Sequence, residues 1–548
     1  MNLVFDKWIP VVRGDGSFSQ ASLMEVFSSD SNIADLVVRP HERIALMRLF
    51  ICIASAALDG PESIWDFDGV EEELPKKASQ YLRKWSDCFN LYDEKRPFLQ
   101  FSNIKLFESS KKKVDYDSVE SAKTSVSKLN FSFASGNNSS LFDHASASAS
   151  KRFFEEADLA LWLIAFQNFH PAGKIGWLCW GGRFNWKEKI DKKGALCTAS
   201  KPDSASHSIC APSSMLHTFI RKSNLLSTIA ANMLAKDTIN DHYFGGEAWG
   251  RPVWEVMPSG PGDVVAINNA SSTYLGRLVP ICRLIRLMPD RLTMLLGDGL
   301  TYPSFNDKNA KFSSEPSATV LASRDGENVL LGADLDKAIW RELHALVVKK
   351  VNGGTGGALA LSRLPDHQSH DLWVGAFVTD KATILDTMES VFHLPGAMQE
   401  ADGLNAYRSE VEYAEGMARR LGWAVETYRQ HSDGGWEGRV KSAGPKKNEL
   451  FDKLKSKAMT FYWTAVEKRR DLLMAYVEAF VLDPESAQVG KSSWRAAVEK
   501  TAADAYRLAC GSQTARQLRA FALGQEKLKS ANNGGIHENA VKISEVSE

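Results

Sequence analysis

The chain has 548 residues, 44% of them apolar and 24% charged, the balance of an ordinary globular protein, which excludes a wholly disordered, collagen-like or disulfide-miniprotein chain. That length exceeds what one core usually holds, so two or three domains are expected. Sixty-six basic residues stand against 67 acidic ones, net −1, which excludes a bulk polycation that coats nucleic acid but leaves room for a local basic groove.

At the N-terminus, Asp6 and Lys7 lie where a signal peptide would carry its apolar stretch. Trp8-Ile9-Pro10-Val11-Val12 reads as a strand that turns at Arg13-Gly14-Asp15-Gly16. His41 to Leu58 is expected to be a buried helix, apolar on more than one face. Its apolar run, interrupted by Arg48, is too short to span a bilayer. Cys52, Cys88, Cys179, Cys197, Cys210, Cys282 and Cys510 are odd in number, scattered and without a C-x-x-C pair. They point to reduced thiols in a cytosol. A soluble, cytoplasmic protein with no membrane partner is expected.

From Ser109 to Ser150, thirteen of 42 residues are serine, too little apolar surface to order the stretch, so one or more mobile loops are expected. Asn130-Phe131-Ser132-Phe133 puts two aromatics into it, which a mere linker would not require. A helix follows over Glu155 to Phe169 and runs into His170-Pro171-Ala172-Gly173-Lys174-Ile175-Gly176, where glycine lets backbone approach a ligand closely or simply caps the helix. Residues 250–350 read as β-rich, and Gly353 to Gly357 as a hinge or tight loop. Beyond Pro395 the apolar spacing predicts four amphipathic helices, 404–430, 447–482, 492–509 and 512–530. The expected architecture is a mixed α+β N-terminal domain (1–390, with the mobile loop at 109–150), an all-α C-terminal four-helix bundle (395–535) and a frayed tail (536–548).

Motifs for catalysis are weak. There is no G-x-S-x-G, H-E-x-x-H, P-loop or G-x-G-x-x-G opening a helix. Cys179, Cys197, His207 and Cys210 lack the paired spacing of a zinc site. Asp366, His367 and His370 would suit a metal-dependent hydrolase or nuclease, perhaps with Cys197, His207 and Cys210, yet a short polar cluster without partners does not make an enzyme. Basic runs are more suggestive. Residues 441–470 carry nine basic against three acidic residues, net +6, and 491–530 eight against three, net +5. Such helices can present a stripe to phosphates or be solvated faces. Arg277, Arg283, Arg286 and Arg291 form a second basic group, opposed by Asp290.

Several segments together resemble one family. Met1-Asn2-Leu3 with Asp6 and Trp8-Ile9-Pro10-Val11, then Phe89, Leu91 and Arg96-Pro97-Phe98-Leu99-Gln100, then Phe166-Gln167-Asn168 before Pro171-Ala172-Gly173 and Gly176, are similar in order and spacing to CasA. That family comprises the large subunits of the bacterial type I-E CRISPR surveillance complex, Cascade. The resemblance implies a non-enzymatic DNA reader without cofactor. Its partners would be the other Cascade subunits with guide RNA, double-stranded target DNA and the Cas helicase–nuclease. It would check duplex for the protospacer-adjacent motif, help open it for guide pairing, and position the displaced non-target strand. Pairing reads the long sequence, so protein need read only a short motif.

By the same resemblance, Asn130, Phe131, Ser132 and Phe133 fall on a mobile loop, and Gly173, Lys174 and Gly176 on a motif-reading glycine loop. Asp380, Lys381 and Ala382 fall at a wedge tip before a helix start at Thr383-Ile384-Leu385. Lys381 stands where one family member has glutamine, suggesting a tip that grips phosphate rather than only prying bases. The minor-groove cation falls nearest Arg291, and with only Cys282 before it no zinc is expected. Lys446, Lys447, Lys453, Arg469 and Arg470 are candidates for a basic bundle face. The rival readings are the metal-dependent hydrolase or nuclease and a helical scaffold that does not touch nucleic acid.

Overall fold

The computed structural model describes all residues except 107–117, 133–152, 172, 174, 176–177, 181–187, 191–195, 199–207, 243–247, 261, 304–314, 323–327, 351–353, 381–382, 434–448 and 531–548. Phe133, Lys174, Gly176, Lys381, Ala382, Lys446, Lys447, His207 and the 536–548 tail therefore lie outside the described residues. The chain divides into two compact units, Met1–Leu394 and Pro395–Glu548. Among the described residues no helix is long and apolar enough to cross a membrane.

The first unit begins with β1 (Ile9–Arg13), β2 (Phe18–Ala21) and β3 (Ile33–Leu36), an antiparallel sheet in the order β2-β1-β3. Helix α1 (Pro40–Leu58) starts where proline's missing N–H costs nothing and Glu42 accepts from the Arg39 amide at 2.9 Å. It is buried from Pro40 through Ser55, as its all-round apolar pattern requires. Helix α2 (Val70–Trp85) packs on it.

Part of the serine-rich stretch is folded. Ser125 caps a short 3-10 turn, and Val126, Leu129 and Phe131 are buried. The expectation of a mobile loop throughout 109–150 is thus corrected over 118–132, where a few apolar side chains find partners far along the chain. Strand β4 (Thr124–Ser125) pairs there with a later hairpin.

Helix α3 (Glu156–Phe169) ends at His170 because Pro171 forces the preceding residue out of helical geometry. Strand β5 (His217–Arg221) follows. The region 250–350 is mixed rather than β-rich: two helices, Val264–Ser272 and Tyr274–Leu278, precede the hairpin of β6 (Arg283–Leu287) and β7 (Thr293–Asp298), which forms a sheet in the order β6-β7-β4. Finally β8 (His370–Asp380) and β9 (Thr383–Leu394) make a long hairpin in the sheet β9-β8-β5. The helix start expected at Thr383 is instead this strand.

The second unit has five α-helices among its described residues: α4 (Ala401–Asp433), α5 (Glu449–Glu467), α6 (Arg470–Leu482), α7 (Pro484–Ala509) and α8 (Ala515–Lys529). Helix α4 packs against the other four. The single helix expected over 447–482 is two, broken at Lys468–Arg469, where Arg469 takes φ −107° and ψ 11°.

Candidate nucleic-acid interface

Five rings in the first unit form a buried aromatic cluster. Phe131 stacks on Phe166 with centroids 5.6 Å apart and touches Phe377 at 4.9 Å. Phe169 lies 5.3 Å from Phe377, and His41 sits 5.1 Å from Phe377 and 5.3 Å from Phe131. Burial, with Arg39 nearby, pushes the His41 imidazole down to about 3. Phe131 is 8% exposed. It anchors its segment, and Arg39 holds the neighbours by donating to Asn130 Oδ1 at 3.2 Å and to the Ser132 hydroxyl.

The turn after α3 and the β8–β9 hairpin both leave this cluster. Phe169 ends α3, four residues before Gly173; Phe377 lies on β8, three residues before Asp380. Gly173 adopts φ +152°, a conformation open to glycine and closed to other residues. Arg283 donates from Nη2 to the carbonyls of Pro171 and Gly173 at 2.8 and 3.1 Å, and from Nε to His170 Nδ1 at 3.1 Å. Its Nη1 pairs with Asp298 Oδ1, and Asp298 Oδ2 accepts from the Ile175 amide at 2.9 Å. Burial pulls the Arg283 guanidinium down from its ordinary value, against the pull of Asp298.

In the hairpin, Asp380 pairs with Thr383, which leaves a two-residue connection, and the register shifts between Val378 and Thr379. The extra residue is Leu385 on β9, so the β-bulge bends that strand next to the tip. The Ser214 hydroxyl pins β8 opposite it, accepting from the Thr379 amide at 2.9 Å and donating to the Thr379 carbonyl at 3.2 Å. Ser213 and Ser214 both hold left-handed backbone, φ 55° and 52°, an unfavourable state for serine that the surrounding packing must enforce.

Other expected residues lie elsewhere. Arg291 sits in the turn between β6 and β7, 3.7 Å from Glu155 and 4.1 Å over the Phe153 ring. It therefore stands at the start of α3, whereas Gly173 follows its end; a 14-residue helix separates them, about 20 Å. The arginine group is not a surface patch either. Arg277 and Arg283 are buried and paired with Glu315 and Asp298. In the second unit Lys453 is exposed near the start of α5, while Arg469 and Arg470 are half-buried at its far end, Arg469 donating to the Ala465 carbonyl at 2.8 Å.

Of the hydrolase candidates, Asp366 is tied to Lys349 at 2.7 Å, which lowers its carboxyl from the ordinary value, and His370 opens β8. Cys210 is buried, its thiol raised to about 12 by burial. Among the described residues no three His, Cys, Asp or Glu side chains come together as a metal would require. The sequence by itself does not single out Arg39, Ser214 or Asp298 and places Arg283 in a basic group. The one signal available was Arg283 opening an apolar strand, Leu284-Ile285, a setting in which a charge needs a buried partner.

Fold and site together describe a large α/β protein, with an all-helical second unit, that presents a glycine turn and a long hairpin from one aromatic cluster. The model of the family described as CRISPR-associated protein Cse1 matches residues 2–505, and the chain belongs to that family. It is 24% identical over 557 residues to the CRISPR-associated protein CasA/Cse1 of Thermus thermophilus, covering 96% of both chains. Its fold is similar to that of Thermobifida fusca Cse1, with a TM-score of 0.70, 18% identity and coverage of 96% of this chain and 98% of the other. It is also similar to a chain of a CRISPR RNA-guided surveillance complex, with a TM-score of 0.64, 15% identity and coverage of 97% and 99%.

Proposed function

We propose that this chain is the large subunit of a type I-E Cascade and acts by binding rather than catalysis: it reads a protospacer-adjacent motif in double-stranded DNA and helps open the duplex. Its partners in this reading are the guide-loaded Cascade subunits and a Cas helicase–nuclease that it docks. The observation that carries the reading is convergence, in a member of this family, of the glycine turn and the hairpin on one aromatic cluster. Two segments that leave one rigid support hold a fixed separation, as a reader and a wedge acting on adjacent base pairs must.

Gly173, Lys174 and Gly176 would approach the minor groove, where main chain and one cation suffice for a degenerate pattern. Asp380, Lys381 and Ala382 would enter at the duplex end, offsetting the unstacking of the first pair, with Lys381 on phosphate. Arg291, at the other end of α3, is left out of this contact. Lys446, Lys447, Lys453, Arg469 and Arg470 would guide the displaced strand or face neighbouring subunits.

The test is binding of target duplex, with randomised flanking bases, to the guide-loaded partner subunits with and without this chain. Tight binding and enrichment of a short flank only in its presence is the expected result. Equal binding with no enriched flank overturns the reading.

A further inference from the structure

The turn after α3 is shaped from behind by two buried charges. Arg283 and Asp298 face each other across the β6–β7 ladder, and their side chains are 2% and 6% exposed. Such a pair is a poor device for stability alone, because the desolvation of two ions offsets most of their attraction, and apolar replacements of similar size are often neutral or better. What distinguishes this pair is where its remaining hydrogen bonds go. The Arg283 fork reaches the carbonyls of Pro171 and Gly173 and the ring of His170, and Asp298 takes the amide of Ile175. Four bonds thus fix the main chain at Pro171, Gly173 and Ile175 and the ring of His170.

The platform under the pair is fixed as well. Gln167 on α3 donates to the Arg283 carbonyl at 2.9 Å and accepts from the Arg283 amide at 2.8 Å, so helix and strand cannot slide past each other. At Gly173 a Cβ would meet nothing within 4 Å. The glycine is therefore required by its backbone angle, φ +152°, and not by crowding. Angle and clamp preserve the same thing, the main-chain shape of the turn.

We propose that Arg283 and Asp298 are positioning residues for DNA recognition, holding the main chain at Pro171, Gly173 and Ile175 in the shape that meets the duplex flanking the target. This rests on the reading above that the turn contacts that duplex. Neither side chain reaches DNA; both act through the backbone, whose groups carry many protein–DNA contacts.

The test pairs two measurements on the full chain. Arg283→Met with Asp298→Leu removes both charges while keeping apolar bulk. Amide hydrogen exchange should show the Ile175 amide exchanging at least tenfold faster than in the native chain. Within the guide-loaded complex, enrichment of a short flank from a randomised library should fall at least tenfold while incorporation of the subunit is unchanged. Unchanged exchange and unchanged enrichment overturn the proposal, as does a folded variant that no longer enters the complex.

Should the double variant fail to fold, Arg283→Lys decides. It keeps the charge opposite Asp298 but not the planar fork, and a tenfold loss of enrichment supports the proposal where none overturns it. Gly173→Ala separates this from the parent reading. Native enrichment in Gly173→Ala removes the turn from the duplex and overturns both. Enrichment lost in Gly173→Ala but kept in the pair variants overturns the positioning role alone.

Discussion

The turn after α3 and the β8–β9 hairpin leave the same aromatic cluster and are held by opposite means. The hairpin is a ladder of paired backbone from His370↔Leu394 to Asp380↔Thr383, so its support is spread over many bonds. The turn depends on two side chains, Arg283 and Asp298, that reach its main chain from the β6–β7 sheet. A distributed ladder absorbs a single substitution, whereas a clamp fails at one. The hairpin has one weak point of the same kind, Thr379 opposite the bulge, where a single hydroxyl from Ser214 does the holding.

The largest effect is expected where the two regions share support. Phe377 is 1% exposed and touches His41, Phe131 and Phe169. Phe377→Ala should cost about 3–5 kcal/mol, the range for a buried aromatic cut to alanine. Denaturant unfolding of the chain measures this directly. A loss under about 1 kcal/mol would mean that the rings are not the common anchor, and the comparison would dissolve into two unrelated loops.

Ser214→Ala should sharpen the contrast at smaller cost. It leaves the Thr379 amide and carbonyl without their hydroxyl partner, worth about 1–2 kcal/mol. The hairpin should lose its aim while the turn keeps its own. A fluorescent base analogue in the first target pair should report weaker duplex opening by the assembled complex, with flank enrichment within twofold of native. Opening and enrichment falling together would show that the two regions act as one body.

The residues of the turn and hairpin show why some of this was legible in sequence. Helices α1 and α3 follow from apolar spacing, and the stop at Pro171 from proline's geometry. The Thr383 segment was assigned by resemblance to a helix start, although its β-branched Thr383 and Ile384 suit the strand it forms. Phe131 looked mobile because composition reports only neighbours in sequence, and its partners Phe166 and Phe377 are brought in by tertiary folding. Arg277 and Arg283 read as part of a basic group because a count cannot see that Glu315 and Asp298 face them in the interior. The break between α5 and α6 falls in Lys468-Arg469-Arg470, which contains neither glycine nor proline to announce it. The site was readable where it rests on local rules and unreadable where it rests on buried pairing.

An effect confined to low pH concerns the cluster's one titratable ring. The unfolded chain takes a proton at His41 near pH 6.5, but in the folded chain burial, and then Arg39, holds the imidazole down to about 3. His217, also buried, is held down to about 4. For both, the neutral ring's contribution is complete above about pH 6.5 and is lost as the pH falls toward those lower values. Each histidine should add about 1.4 kcal/mol per pH unit to the slope of stability within that window. His41→Phe preserves an aromatic ring beside Phe131, Phe169 and Phe377 and removes the proton that His41 takes up on unfolding. Unfolding followed from pH 7 to 4.5 should therefore give a variant slope shallower by about one proton, whatever the variant's absolute stability. An unchanged slope would show that His41 takes its proton in place, which requires water or an acceptor inside the cluster. In that case the cluster would not be the dry, rigid support that both the turn and the hairpin need.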